Sequence, residues 1–236
     1  MILYGRNPVR EALRGRRSVR RVWARPQLTG EAWLQGVPVD TARDDGELEE
    51  LCGSPDHQGL CAEADPYPYA EPAALLRPED ALVICLDEVQ DPRNLGAVCR
   101  VAECAGAAGV VVPKRRSAEV TPVTCRASAG AVEHLPVARV GNLADYLLAA
   151  KKTGAWVYGA ARDSSVHYSA PDYEGRVVLV LGSEGRGLRP RVAATCDELI
   201  ALPMRGRIDS LNVSTAAAAL VYGILQFRPR PLDKGS

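Results

Sequence analysis

From residue 81 onward, short apolar runs rich in β-branched residues alternate with longer amphipathic stretches. The runs Ala81–Leu86, Gly109–Val112, Ala155–Ala160, Val177–Leu181 and Leu199–Leu202 are apolar almost throughout. Each predicts a strand buried on both faces. The intervening segments Asn94–Ala105, Thr121–Glu133, Leu143–Lys152 and Leu211–Gln226 predict helices. This alternation implies an α/β domain over residues 81–230, with a mostly parallel sheet and helices on both faces. The first 68 residues follow a weaker pattern. Asn7 is expected to cap a helix with Pro8 at its first position, running through Leu13. Val19–Ala24 and Gly59–Glu63 predict strands, and Glu47–Leu51 a short helix. They describe a small α/β unit. Pro66, Pro68 and Pro72 fall within seven residues, so the chain is expected to link its two domains across residues 69–80.

Composition narrows the class. No apolar run reaches the roughly 20 residues of a membrane span, and Leu211–Phe227 is interrupted by Asn212, Ser214, Thr215, Gly223 and Gln226. Met1–Leu13 lacks the apolar core of a signal peptide, so a cytoplasmic protein is expected. The seven cysteines form no C-x-x-C pair and are expected as reduced, buried thiols. His57, His134 and His167 stand apart from one another, so no metal site is expected.

The net charge is zero, but its distribution is uneven. Residues 1–25 carry eight arginines and one acid, Glu11, whereas residues 31–80 carry thirteen acids against Arg43 and Arg77. A chain with only four lysines prefers arginine throughout, which explains the choice of base but not the clustering. A concentrated arginine segment suits phosphate binding. Arg6 and Arg10 are therefore candidates for RNA contact, with Lys114, Arg115 and Arg116 and with Arg205 and Arg207 in two further basic loops.

Three segments carry candidate chemistry. In the first, a strand ends at Leu86, an Asp91-Pro92 turn follows, and a helix opens near Asn94. Asn94 suits an N-cap. Arg100 lies six residues on, somewhat under two turns, so the two need not share a face. Its neighbours Val98, Cys99, Val101 and Ala102 are small and apolar, so Arg100 is expected to be half-buried and in need of a partner. In the second, the strand ending at Leu181 runs into Gly182-Ser183-Glu184-Gly185-Arg186-Gly187. These glycines let backbone approach a ligand, and Glu184 can orient an arginine. The loop is neither a dinucleotide fingerprint nor a Walker loop. In the third, Ile200 and Leu202 lead through a basic loop to Ser210, Leu211, Asn212, Ser214 and Thr215 at a helix start. One such group suffices for capping, so the surplus suggests ligand hydrogen bonds.

In order and spacing these segments resemble the three motifs of the SpoU (TrmH-like) family of SPOUT RNA 2′-O-ribose methyltransferases. The N-terminal Tyr4-Gly5-Arg6-Asn7-Pro8-Val9 and His57-Gln58-Gly59-Leu60 resemble the substrate-binding extension of its ribosomal-RNA guanosine branch. Asn7 departs from that branch, which more usually has histidine there. The resemblance implies a C-terminal trefoil knot, where pattern reading alone defaults to an unknotted chain. It implies a homodimer and the cofactor S-adenosyl-L-methionine (AdoMet), held by Leu181, Gly182, Gly185, Ile200, Leu202, Leu211 and Ser214. It gives Arg100 the catalytic role, supported by Asn94, Glu184, Ser210 and Asn212. A transfer-RNA or antibiotic-resistance ribose methyltransferase, a non-catalytic RNA-binding module and an oxidoreductase are the competing readings.

Overall fold

The computed structural model describes residues 1–228, so residues 229 and 230 of the expected second domain lie outside the described residues. In chain order the elements are β1 (Ile2–Tyr4), α1 (Arg6–Arg14), β2 (Val19–Ala24), β3 (Val39–Thr41), α2 (Asp45–Cys52) and β4 (Leu60–Ala64). There follow β5 (Leu82–Asp87), α3 (Pro92–Cys104), β6 (Gly109–Pro113), α4 (Pro122–Ala127), β7 (Val137–Val140) and α5 (Leu143–Lys152). The chain ends with β8 (Trp156–Ala160), β9 (Val177–Gly182), α6 (Pro190–Thr195), β10 (Glu198–Ile200) and α7 (Val213–Phe227). Contacts divide it into two units. The first comprises Met1–Tyr69, Pro92–Arg100 and Glu119–Leu135; the second comprises Ala70–Asp91, Val101–Ala118 and the residues from Pro136 on. No helix among the described residues is long and apolar enough to cross a membrane.

The first unit is built on a four-stranded sheet of order β1-β4-β2-β3, parallel only between β2 and β3. Leu3, Val22, Ala24, Leu60 and Ala62 are fully buried in it. The helix expected to start at Pro8 behind an Asn7 cap begins two residues earlier, at Arg6, with Gly5 as its N-cap at φ 91° and no side-chain cap. Only glycine takes that backbone freely, and Asn7 is exposed. Asp44 caps α2 by accepting from Glu47 N at 2.9 Å. Arg17 is sealed inside the unit. Its Nη2 meets Glu133 Oε1 at 2.5 Å and its Nε donates to Glu133 Oε2 at 2.9 Å. Burial opposes the Arg17 charge, but Glu133 outweighs it and raises the guanidinium pKa. The helix expected over Thr121–Glu133 is broken. Thr121 starts α4 with a reciprocal capping box, and the chain then turns at Ala129 (φ 52°) and Gly130 (φ 88°) before a short 3-10 turn at Ala131–Glu133. The amide of Gly130 closes that turn on Cys125 O at 3.0 Å.

The second unit is an all-parallel six-stranded sheet of order β10-β8-β9-β5-β6-β7. Its strands are apolar because water reaches neither face: β5, β6 and all but the end of β9 are buried. Val83, Cys85, Val111, Val178 and Val180 pack with Leu143 and Leu147 of α5 and Val192 of α6. Alternation turns Leu179 and Leu181 to the opposite face of β9, and α7 packs on that strand. Each such Leu or Val contributes roughly 1.5–3 kcal/mol through burial. Within the expected linker, Pro72–Leu76 forms a 3-10 turn that buries Leu75 and Leu76 in this core. Each sheet edge is met at one end by a neighbouring segment. Ala70 bridges β7 through Ala138, and the segment after β8 runs beside β10, Tyr168 N donating to Ala201 O at 3.0 Å.

The thiols divide by location. Cys61, Cys85, Cys99 and Cys125 are buried, as expected, but Cys52 and Cys196 are only half-buried, and Cys104 at the end of α3 is exposed, because the helix turns it away from the core. Burial pushes the Cys125 thiol up to about 12.

Candidate active site

In the second unit, β9 ends in a loop folded back on itself. Gly187 N donates to Ser183 O at 2.9 Å, with Gly185 at φ 80° and Gly187 at φ 66°. Gly182 is required by space. A Cβ there would lie 2.1 Å from the carbonyl carbon of Gly187 and 2.5 Å from the nitrogen of Leu188. Glu184 then reaches to the start of α7. Its Oε1 accepts from Asn212 Nδ2 at 2.5 Å and from Val213 N at 3.3 Å. Asn212 is the N-cap of α7, and its Oδ1 accepts from Ser214 N at 2.9 Å and Ser214 Oγ at 2.5 Å. A carboxylate at a helix N-terminus is also favoured by the helix dipole.

The far end of the loop is held by Arg189. Asp87, at the end of β5, is wholly buried. Its Oδ2 accepts from Arg189 N at 2.8 Å and its Oδ1 from Arg189 Nε at 2.8 Å. The hydrogen bond to Asp87 raises the Arg189 pKa against the opposing effect of burial.

These elements enclose a cavity of about 600 Å³. Leu181, Gly182, Glu184, Gly185, Ile200, Leu202, Ser210 and Leu211, all singled out from sequence, line it. Ser214, expected to bind the cofactor, and Asn212 are not among the lining residues; Asn212 bonds to Glu184 and Ser214 to Asn212. Sequence reasoning missed Ala160–Asp163, Met204 and Asp209, which also line the cavity. The usable signal was the carboxyl end of β8, since ligands of parallel sheets bind beyond strand ends. There Arg162 Nη1 pairs with Asp209 Oδ2 at 2.8 Å.

Asn94 and Arg100 belong to the first unit. α3 opens at Pro92, a favoured first helical residue, so Asn94 lies inside the first turn instead of capping it. Gly96 lets this helix approach α4: a Cβ would meet Thr124 O at 2.7 Å and Ala127 Cβ at 2.6 Å. Leu95, Val98, Cys99 and Ala102 form the buried stripe of the helix. Arg100 falls outside that stripe and is exposed, not half-buried as expected, and it forms no hydrogen bond or ion pair among the described residues.

The candidate RNA contacts are on the surface. Lys114, Arg115 and Arg116 follow β6 as an exposed loop, and Arg205 and Arg207 are exposed. Arg6 pairs with Glu31, and Arg10 Nε with Glu11 Oε1 at 2.9 Å.

A parallel α/β sheet with a glycine loop and a ligand-sized cavity at its carboxyl end defines a small-ligand-binding α/β protein. Residues 81–222 match the SpoU rRNA Methylase family, and residues 2–70 match the family described as RNA 2′-O ribose methyltransferase substrate binding. The chain belongs to the SpoU rRNA methylase family. It is 38% identical to a Bacillus subtilis protein assigned to the TrmH family of tRNA/rRNA methyltransferases, over 95% of this chain and 94% of that one. It is 37% identical to an uncharacterized tRNA/rRNA methyltransferase of Synechocystis, over 99% of this chain but only 64% of the relative's length. A SpoU methyltransferase of Streptomyces viridochromogenes, solved in complex with AdoMet, superposes with a TM-score of 0.79 at 25% identity, covering 96% of this chain and 89% of that one.

Proposed function

We propose that this chain is an AdoMet-dependent RNA methyltransferase that methylates a ribose 2′-hydroxyl, and that its substrate is a guanosine of large-subunit ribosomal RNA. The observation that carries the reading is the cavity walled by the glycine loop, the end of β10 and the start of α7. Its residues fit AdoMet. Leu181, Ile200 and Leu202 offer apolar surface for an adenine ring, Gly182 lets the loop backbone fold back at Gly187 to shape the wall, and Ser210 and Glu184 supply polar groups. The solved Streptomyces relative, bound to AdoMet, supports the same assignment. The match of residues 2–70 supports RNA as substrate and the ribose 2′-oxygen as target.

When bound, AdoMet supplies a methyl group on a positively charged sulfur, open to in-line displacement. The chain's own task is to align the ribose oxygen and manage its proton. Arg100 is assigned to the 2′-hydroxyl and an adjacent phosphate. An arginine keeps its proton in a protein, so Arg100 stabilises charge developing on the oxygen while phosphate or water takes the proton. Its exposure and its freedom from internal ion pairs leave the guanidinium available for that role. Asn94 and Ser210 are assigned to orienting substrate, and the Glu184–Asn212 bond to keeping the loop on α7. The exposed bases Lys114, Arg115, Arg116, Arg205 and Arg207, with Arg6 and Arg10, are assigned to RNA phosphates. The same reading carries the homodimer, the trefoil knot and a cytoplasmic location.

Calorimetry with AdoMet and mapping of 2′-O-methyl groups in cellular RNA, with and without this protein, test the proposal. One 2′-O-methyl guanosine lost from large-subunit RNA is the expected result. A loss confined to transfer RNA would move the substrate to that class. No AdoMet binding would leave only an RNA-binding module.

A further inference from the structure

Asp87 grips the glycine loop at both ends. Through its backbone it stands in register with Gly182, where the loop leaves β9. Through its side chain it holds Arg189, the residue that follows the cavity-lining Leu188. Both Asp87 oxygens are used, Oδ2 by the backbone amide of Arg189 and Oδ1 by the guanidinium. A buried carboxylate is costly unless it is fully hydrogen-bonded, and each bond that satisfies this one ends on the loop's exit. The loop itself contains two glycines at positive φ and four exposed residues, Glu184–Gly187. Such a loop, held otherwise by the Gly187–Ser183 and Glu184–Asn212 bonds, loses less entropy on closing around a ligand when its exit is also fixed. Arg189 keeps 42% of its side chain exposed while Asp87 is fully buried, and its Nη1 also lies 3.6 Å from Glu88 Oε1.

We propose that Asp87 is a positioning residue for the cofactor, holding the glycine loop in its ligand-receiving shape before the ligand arrives. The inference rests on the cofactor reading above and names a residue 102 positions away in sequence from the one it acts through.

Asp87→Asn keeps the shape of the side chain and removes its charge. AdoMet affinity measured by calorimetry is expected to fall tenfold or more, and KM for AdoMet to rise by the same factor. The kcat at saturating AdoMet should stay within threefold. Amide exchange at residues 183–187 is expected to speed up tenfold in the ligand-free protein, with exchange in α5 unchanged. A variant that melts at lower temperature yet binds AdoMet within twofold of wild type would overturn the proposal, as would unchanged loop exchange. Arg189→Lys, which keeps the charge but loses the forked contact, gives the same readouts should Asp87→Asn not fold. A wild-type chain that fails to bind AdoMet would count against the proposed function, and the loop exchange would then decide for or against Asp87.

Discussion

Arg17 in the first unit and Arg189 in the second each meet a buried carboxylate, but their surroundings differ. Arg17 and Glu133 retain 2% and 1% of their side-chain exposure, whereas Asp87 retains none and Arg189 retains 42%. The first pair joins segments 116 residues apart and spends every contact inside the protein. The second spends its contacts on a loop that lines a cavity. Arg100 extends the series, exposed and without an ion pair among the described residues. The less an arginine is used internally, the more of its charge is left for a ligand.

The largest expected effect is on the sealed pair. Glu133→Ala leaves a buried guanidinium unpaired and should cost about 3–5 kcal/mol in urea unfolding. A loss below about 1 kcal/mol would show that the pair anchors nothing. Arg100→Ala should behave in the opposite way. Stability should stay within about 0.5 kcal/mol, while methyl transfer to RNA falls by about 10²–10³-fold with AdoMet affinity retained. Near-normal turnover would remove Arg100 from the mechanism. Gly182→Ala forces a methyl group against Gly187 and should cost about 1–3 kcal/mol, together with most AdoMet binding; a variant that binds normally would place the ligand elsewhere. Asn212→Ala removes the cap of α7 and the tether of Glu184, at a cost of about 1 kcal/mol seen by thermal melting. Smallest in stability is Arg6→Glu, which breaks an exposed pair worth at most about 1 kcal/mol. Its readout is RNA affinity by filter binding, expected to fall severalfold with a shallower salt dependence. An unchanged affinity would count against the N-terminal residues as RNA contacts.

The sequence revealed most where a single segment carried its own signal. Strands such as Val177–Gly182 are readable because burial on both faces leaves only apolar residues. β7 was missed because it is only four residues long, directly after Pro136 and broken by Arg139, and α6 because six residues carry too little periodicity. Ala129 at φ 52° ends a helix where composition predicts continuation. The glycine loop and the polar start of α7 were legible as site segments for the same local reason. Asp87 with Arg189, and Arg162 with Asp209, were not, since only the folded sheet brings those positions together. The exposure of Arg100 was misjudged from its small neighbours, although the stripe Leu95, Val98, Cys99 and Ala102 already turns it outward.

The partial covering of both margins of the six-stranded sheet has a consequence for assembly. Ala70 takes one hydrogen-bonding position beside β7, and residues 166–168 bond to Ala201, just past the end of β10. A strand added from a second molecule would meet one of these segments at the end of either margin, which shortens the free edge it could pair with.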